Sequence, residues 1–168
     1  MDPLPPILTA RVLARTATVE DAPLVQACLD AAPDYSWTTA GARAPADAAL
    51  DLLRDAEADP ERRVFLLSPP GGGTPFGVLD LYLHQPEPEV AHLALLLLRE
   101  RSQGQGLGRE VVEALTQALS TAGFAALRLS VTDENPGARA FWERLGFAPA
   151  GRLEQGVTVY EKRLSPLP

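Results

Sequence analysis

Three glycines at alternate positions, Gly104, Gly106 and Gly108, separate an apolar run at 90–98 from a helical pattern that starts at Leu107. Glycine removes the Cβ atoms that would keep an anion from main-chain N–H groups. A helix start adds unpaired N–H donors and the positive end of the helix dipole. A strand, a glycine turn and a helix in that order therefore make a phosphate cradle, and Arg99, Arg101 and Arg109 put positive charge around it. Three alternate glycines exceed what a plain strand-to-helix turn needs. The spacing is Gly-x-Gly-x-Gly, not the Gly-x-Gly-x-x-Gly of a dinucleotide fold, and it lies two-thirds of the way along the chain. A nucleotide P-loop is excluded by the missing Gly-Lys-Ser/Thr.

One further residue type suits chemistry. His92 interrupts the apolar run and, by strict alternation, shares a face with Ala94, Leu96 and Leu98. An imidazole titrates near neutral pH, so it can take a proton from an ammonium group through one or two waters. A hydrogen-bonded structural histidine is the alternative. Cys28 is the only cysteine, which excludes a disulfide framework and a cysteine metal site; its place in a helical pattern makes it a packing residue in a reducing compartment.

The elements that must position these groups alternate along the chain. A strand is expected at 10–17 and a helix from Thr18 with Ala22, Val25, Cys28, Leu29 and Ala32 on its apolar face. A second helix follows at 46–58, then strands at 63–67 and 76–83 joined by a glycine-rich turn. After the strand at 90–98, the helix from Leu107 turns Val111, Leu115 and Leu119 inward and stops at Gly123. Leu127, Leu129 and Val131 alternate with polar residues in another strand. Asn135 and Pro136 open a last helix that ends at Gly146, and strands at 148–154 and 157–163 finish the chain. The order implies an α/β (α+β) fold: a mixed, mostly antiparallel sheet of about seven strands flanked by about four helices.

A chain of 168 residues is read as a single domain, 1–168, with flexible tails at 1–9 and 164–168. The net charge of −7 argues against nucleic acid and for a small anionic ligand at the local basic turn. No apolar run is long enough to span a bilayer, and the first residues lack a basic, apolar leader, so a cytoplasmic protein with no membrane partner is expected.

The run Arg101-Ser102-Gln103-Gly104-Gln105-Gly106 resembles the Gln/Arg-x-x-Gly-x-Gly/Ala signature of the GNAT superfamily of N-acetyltransferases. Downstream, Asn135, Ala138, Phe141-Trp142-Glu143-Arg144 and Leu145-Gly146-Phe147 resemble that family's second motif. With the element order, the resemblance covers about residues 10–163. It implies acetyl-CoA as the donor and acetyl transfer to an amine by direct attack in a ternary complex. It also implies that N–H groups from Gln103 through Gly104, Gln105, Gly106 and Leu107 to Gly108, with Arg101 and Arg109, hold the pyrophosphate. By the same resemblance the strand at 90–98 splays from its neighbour at 125–131, pantetheine pairs along Leu96 and Leu98, and an N–H near Leu96 polarises the thioester carbonyl. Asn135, Ala138, Phe141 and Trp142 then line the cofactor's tail.

The chain departs from the pattern at Trp142, where many members carry a Tyr that protonates the departing thiolate; an indole N–H does not give up its proton at neutral pH. Tyr35, Tyr82 or Tyr160 is a substitute acid, or water or the ammonium product serves. His92 stands, relative to Arg101, where arylalkylamine N-acetyltransferases carry a catalytic His. For the acceptor, Tyr35 and Trp37 offer aromatic walls, and Asp80 and Tyr82 a polar floor that attracts a cationic small-molecule amine. A protein or peptide acceptor, and a non-catalytic acyl-CoA-binding module, are the alternatives. The family includes dimers, so a monomer or homodimer is expected.

Overall fold

The computed structural model describes residues 4–32, 46–152 and 156–165. Tyr35 and Trp37 lie outside the described residues. The single strand expected at 10–17 is two: β1 (Ile7–Leu8) and β2 (Leu13–Thr16), paired antiparallel. Thr9 makes the break, because its Oγ1 accepts from the N–H of Val12 at 3.0 Å and of Arg11 at 3.3 Å, folding the chain into a tight turn. Part of the expected N-terminal tail is therefore fold: Ile7 is buried in the core. At the other end, Leu164 is likewise buried, its N–H bonded to the Ala125 carbonyl.

The remaining strands are β3 (Arg62–Ser68), β4 (Gly77–Tyr82), β5 (Val90–Leu98), β6 (Ala126–Thr132), β7 (Ala148–Arg152) and β8 (Val157–Arg163). They form one eight-stranded sheet in the order β1-β2-β3-β4-β5-β6-β8-β7. Only β5 and β6 run parallel. Helices α1 (Ala22–Asp30) and α2 (Ala48–Ala58) cover one face; α3 (Leu107–Thr121) and α4 (Pro136–Arg144) cover the other. The mixed sheet and four helices agree with the expected fold class, with one strand more than foreseen.

Each helix end near the sheet is written locally. Asn135 Oδ1 accepts the Ala138 N–H at 3.0 Å, and Pro136 occupies the first helical position, a pairing that stabilises a helix start by about 1 kcal/mol. Both α3 and α4 stop at a Gly-Phe pair. Phe124 N–H reaches the Leu119 carbonyl and Gly123 N–H that of Ser120; Phe147 and Gly146 repeat this with Trp142 and Glu143. Such double bonds satisfy the last carbonyls and bury the following Phe. Cys28 is buried in α1, as its helical pattern implied, and burial pushes its thiol up.

The strand that matters most is irregular. Asp80 pairs with Leu95 and Leu81 with Leu93, so Ala94 is an extra residue, a β-bulge. Before the bulge Ala91 and Leu93 pack toward α3; after it Leu96 and Leu98 do. Leu95 and Leu97 pack toward α1 and α2. One inserted residue reverses the alternation. His92 therefore stands on the α1–α2 face with Leu95 and Leu97, and not with Leu96 and Leu98 as strict alternation predicts.

Candidate active site

The parallel pairing of β5 with β6 lasts three residues, Val90–His92 against Ala126–Arg128. Beyond it the strands separate, for Leu93–Leu98 pair only with β4 and Leu129–Thr132 only with β8. The separation opens a cleft of about 660 Å³ whose walls are the facing strand edges, the N-terminal turn of α3 and the inner side of α4. Leu96, Leu98, Gln103, Gly104, Gly106, Leu107, Gly108, Arg109, Asn135, Ala138, Phe141 and Trp142 all line it. The β6 edge from Leu129 to Thr132, and Arg144 on α4, are lining residues that sequence reasoning did not single out.

The glycines divide their work. Gly104 and Gly106 sit at φ +75° and +81°, left-handed backbone that side-chain-bearing residues avoid, and Gly106 is the N-cap of α3. Gly108 has ordinary backbone, but a Cβ there would stand 3.4 Å from Phe141 and 3.7 Å from Leu98. It provides room. The N–H groups of Leu107, Gly108 and Arg109 belong to the first helical turn and have no carbonyl within the helix to bond.

This geometry shifts the frame of the signature. Gln103-Gly104-Gln105-Gly106-Leu107-Gly108 fits the same pattern as the 101–106 run, and places the pattern's two glycines at the N-cap and the second helical residue of α3. Arg101 and Gln105 do not line the cleft. The Gln105 side chain bonds the Arg101 carbonyl at 2.9 Å, and its own carbonyl accepts from Arg11. Gln103 lines the cleft while its amide caps the Leu98 carbonyl at 2.9 Å. Trp142 is wedged edge-on against both Phe141 and Phe147, with ring centroids 4.9 and 5.2 Å away.

The other face of β5 carries charge. The registers align Arg62 with Tyr82, Tyr82 with His92, His92 with Arg128 and Arg128 with Glu161, a polar row across five strands at the closed end of the cleft. Arg62 holds both oxygens of Asp80, at 2.9 and 2.7 Å, and covers the Tyr82 ring at 4.8 Å. Asp80, expected as an attractor for the acceptor amine, is 3% exposed and its carboxylate is taken by Arg62. A fork of five N–H donors on β3 explains why a buried carboxylate is tolerated there.

Arg128 is paired with Glu161 and, more loosely at 3.9 Å, with Glu87. Half-buried between these groups, the His92 imidazole is pushed below its ordinary 6.5, first by burial and further by Arg128, with Asp80 partly opposing. It is neutral at pH 7, the form that accepts a proton. Burial raises the Tyr82 phenol, which stays protonated. Tyr160 is buried, and its hydroxyl donates to Glu143 at 3.1 Å.

Comparison with known proteins agrees with this architecture. The model of the acetyltransferase (GNAT) family matches residues 24–147. A curated mycothiol acetyltransferase from Beutenbergia cavernae is 29% identical over 128 residues, 70% of this chain and 42% of that protein. The chain thus spans less than half the length of that relative. A crystal structure of an acetyltransferase from Thermus thermophilus has a TM-score of 0.85 and 34% identity, covering 95% of this chain and 100% of the other. A spermidine N-acetyltransferase from Vibrio cholerae, solved with CoA and spermine, has a TM-score of 0.76 at 17% identity over 94% and 98% of the two chains. That last likeness is one of fold. Among the described residues no helix is long and apolar enough to cross a membrane, and no group of His, Cys, Asp and Glu could hold a metal.

Proposed function

This chain belongs to the acetyltransferase (GNAT) family, and from that premise we propose that it transfers the acetyl group of acetyl-CoA to a primary amine of a small molecule by direct attack in a ternary complex. The observation that carries the reading is the separation of β5 from β6 directly onto the glycine turn of α3. A thioester tail fits between strand edges whose main-chain groups are unpaired, as an added strand would. A pyrophosphate fits the turn, where the first N–H groups of α3 and the positive end of its dipole meet.

Acetyl-CoA bound there supplies an activated acyl thioester. A backbone N–H near Leu96 polarises its carbonyl, which typically lowers such barriers by roughly 3 kcal/mol. Phe141 and Trp142 wall the tail against water. His92 takes the ammonium proton from the α1–α2 side of β5, and Tyr82, next to it in register, lines the acceptor's approach. Holding the amine against the thioester can contribute about 7–11 kcal/mol, so no covalent enzyme intermediate is required. Because Trp142 replaces the family's usual acid, the departing thiolate takes its proton from water or from the ammonium product. The same reading places the enzyme in the cytoplasm, as a monomer or homodimer.

The test is thiol release from acetyl-CoA against a panel of polyamines, amino acids, aminoglycosides and peptides, beside melting with and without CoA. Turnover on a small amine with a CoA-dependent rise in melting temperature is the expected result. Turnover on peptides alone would move the acceptor to protein. Binding without turnover on any acceptor would make the chain an acyl-CoA-binding module.

A further inference from the structure

The turn that faces the phosphate is held from behind by a residue that no motif contains. Arg11 lies in the turn between β1 and β2, ahead of the segment 24–147 matched by the family model. Its Nη1 donates to the Gln105 carbonyl at 2.9 Å. Its Nε donates to Glu110 Oε1 at 3.0 Å, and its backbone N–H to Oε2 at 3.2 Å. Thr9, which shapes that turn, donates its hydroxyl to the same Oε2. Arg11 Nη2 lies against Gly106, 3.5 Å from where a Cβ would stand.

The placement of Glu110 makes this arrangement necessary. Glu110 is in the first turn of α3, its own N–H bonded to the Gly106 carbonyl. A free carboxylate there would repel the anion that the turn is shaped to take, and because both side chains reach the surface that repulsion is one that salt weakens. In the structure that carboxylate is turned back onto the β1–β2 turn, and both its oxygens are engaged by Thr9 and Arg11. The guanidinium also keeps three N–H groups without a partner among the described residues, beside the glycine whose left-handed backbone starts the helix.

We infer that Arg11 is a positioning residue for cofactor phosphate: it cancels the Glu110 charge at the start of α3 and pins the glycine turn through Gln105. The N-terminal hairpin, outside the matched domain segment, thereby sets the affinity for the phosphate end of the ligand. The inference rests on the acetyl-CoA reading above. It predicts an electrostatic coupling between two residues 99 positions apart that shows in affinity for the phosphate-bearing ligands and fades with salt, which a purely structural salt bridge would not give.

The experiment measures binding to the full chain of CoA, 3′-dephospho-CoA and pantetheine, which differ only in their phosphates and the nucleoside these carry. Arg11→Ala should weaken CoA about tenfold at low salt and much less in high salt, while pantetheine is unchanged. An equal loss with 3′-dephospho-CoA assigns the effect to the pyrophosphate, and a loss confined to CoA assigns it to the ribose phosphate. Adding Glu110→Gln to Arg11→Ala should restore most of the affinity, because the unmasked carboxylate is then gone. Three results would each overturn the inference: unchanged CoA binding in Arg11→Ala, an equal loss for pantetheine, or no restoration in the double variant. Failure of the wild-type chain to bind CoA at all would sink the acetyl-CoA reading itself, and is seen before any variant is made.

Discussion

The two faces of β5 solve different problems with different materials. Toward α3 and α4 the strand offers apolar side chains and an open main-chain edge, completed by glycines and a helix start. Toward α1 and α2 it offers Leu95 and Leu97 to the core and sets His92 into a polar row that neighbouring strands complete with Arg62, Tyr82, Arg128 and Glu161, Asp80 being held beside it by Arg62. The binding proposed for the first face rests on backbone geometry and space. The proton transfer proposed for the second would depend on ion pairs held in partial burial. The bulge at Ala94 lets one strand serve both, since it turns Leu96 and Leu98 to the cleft while leaving His92 in the charged row.

The largest effect expected from breaking this division is on stability. Arg62→Ala strands the buried Asp80 carboxylate, and removing one partner of a buried pair typically costs about 3–5 kcal/mol. Urea unfolding measures it, and replacing both residues by apolar ones of similar size should return most of the loss. A loss under about 1 kcal/mol would mean the charged row is not a structural unit. The next effect belongs to the other face. Gly108→Leu fills the gap toward Phe141 and Leu98, so acetyl-CoA affinity should fall about 100-fold by calorimetry. Its unfolding midpoint should hardly move, because glycine inside a helix already costs about 1 kcal/mol. Intact affinity would show that space at Gly108 plays no part in binding.

Third comes His92→Ala, which should lower kcat/KM about 100-fold at pH 7 and flatten the acidic limb of the pH–rate profile. Unchanged pH dependence would remove His92 from the mechanism and leave the row as architecture alone.

The two faces were also unequally legible. The glycine turn, the Asn-Pro helix start and the Gly-Phe stops are chemistry within a few residues, so their types and spacing declare them. The glycine-turn part of the cleft lining is declared by that local signal, the strand and α4 residues expected in it come from the family resemblance, and the β6 edge and Arg144 carry no local mark. The charged face is built from partners far apart: Arg62 and Asp80 are 18 positions from each other, and Arg128 and Glu161 are 33. Nothing local marks such pairs. The bulge was invisible for another reason, because Leu93-Ala94-Leu95-Leu96 is apolar throughout and carries no polar residue to mark its phase. Without sight of Arg62, Asp80 reads as a free attractor, and without the bulge strict alternation sets His92 on the opposite face.

The smallest expected effect tests whether the row acts as one unit. The groups facing His92 are Tyr82 and Asp80 from β4, Arg128 from β6 and, behind them, Arg62 on β3 and Glu161 on β8. Burial and the Arg128 cation both disfavour the imidazolium, so wild-type activity should persist as pH falls through 6.5 and be lost only below it. Arg128→Ala removes that cation, frees Glu87 from its loose pairing and leaves Glu161 with Arg163 as its remaining ion-pair partner, and these changes favour the protonated ring. The acidic limb should then move upward, toward or past 6.5, with little change on the plateau. The same displacement should appear when the His92 ring is titrated by NMR. A limb that stays in place would uncouple Arg128 from His92, and one that moves downward would reverse the assigned electrostatics.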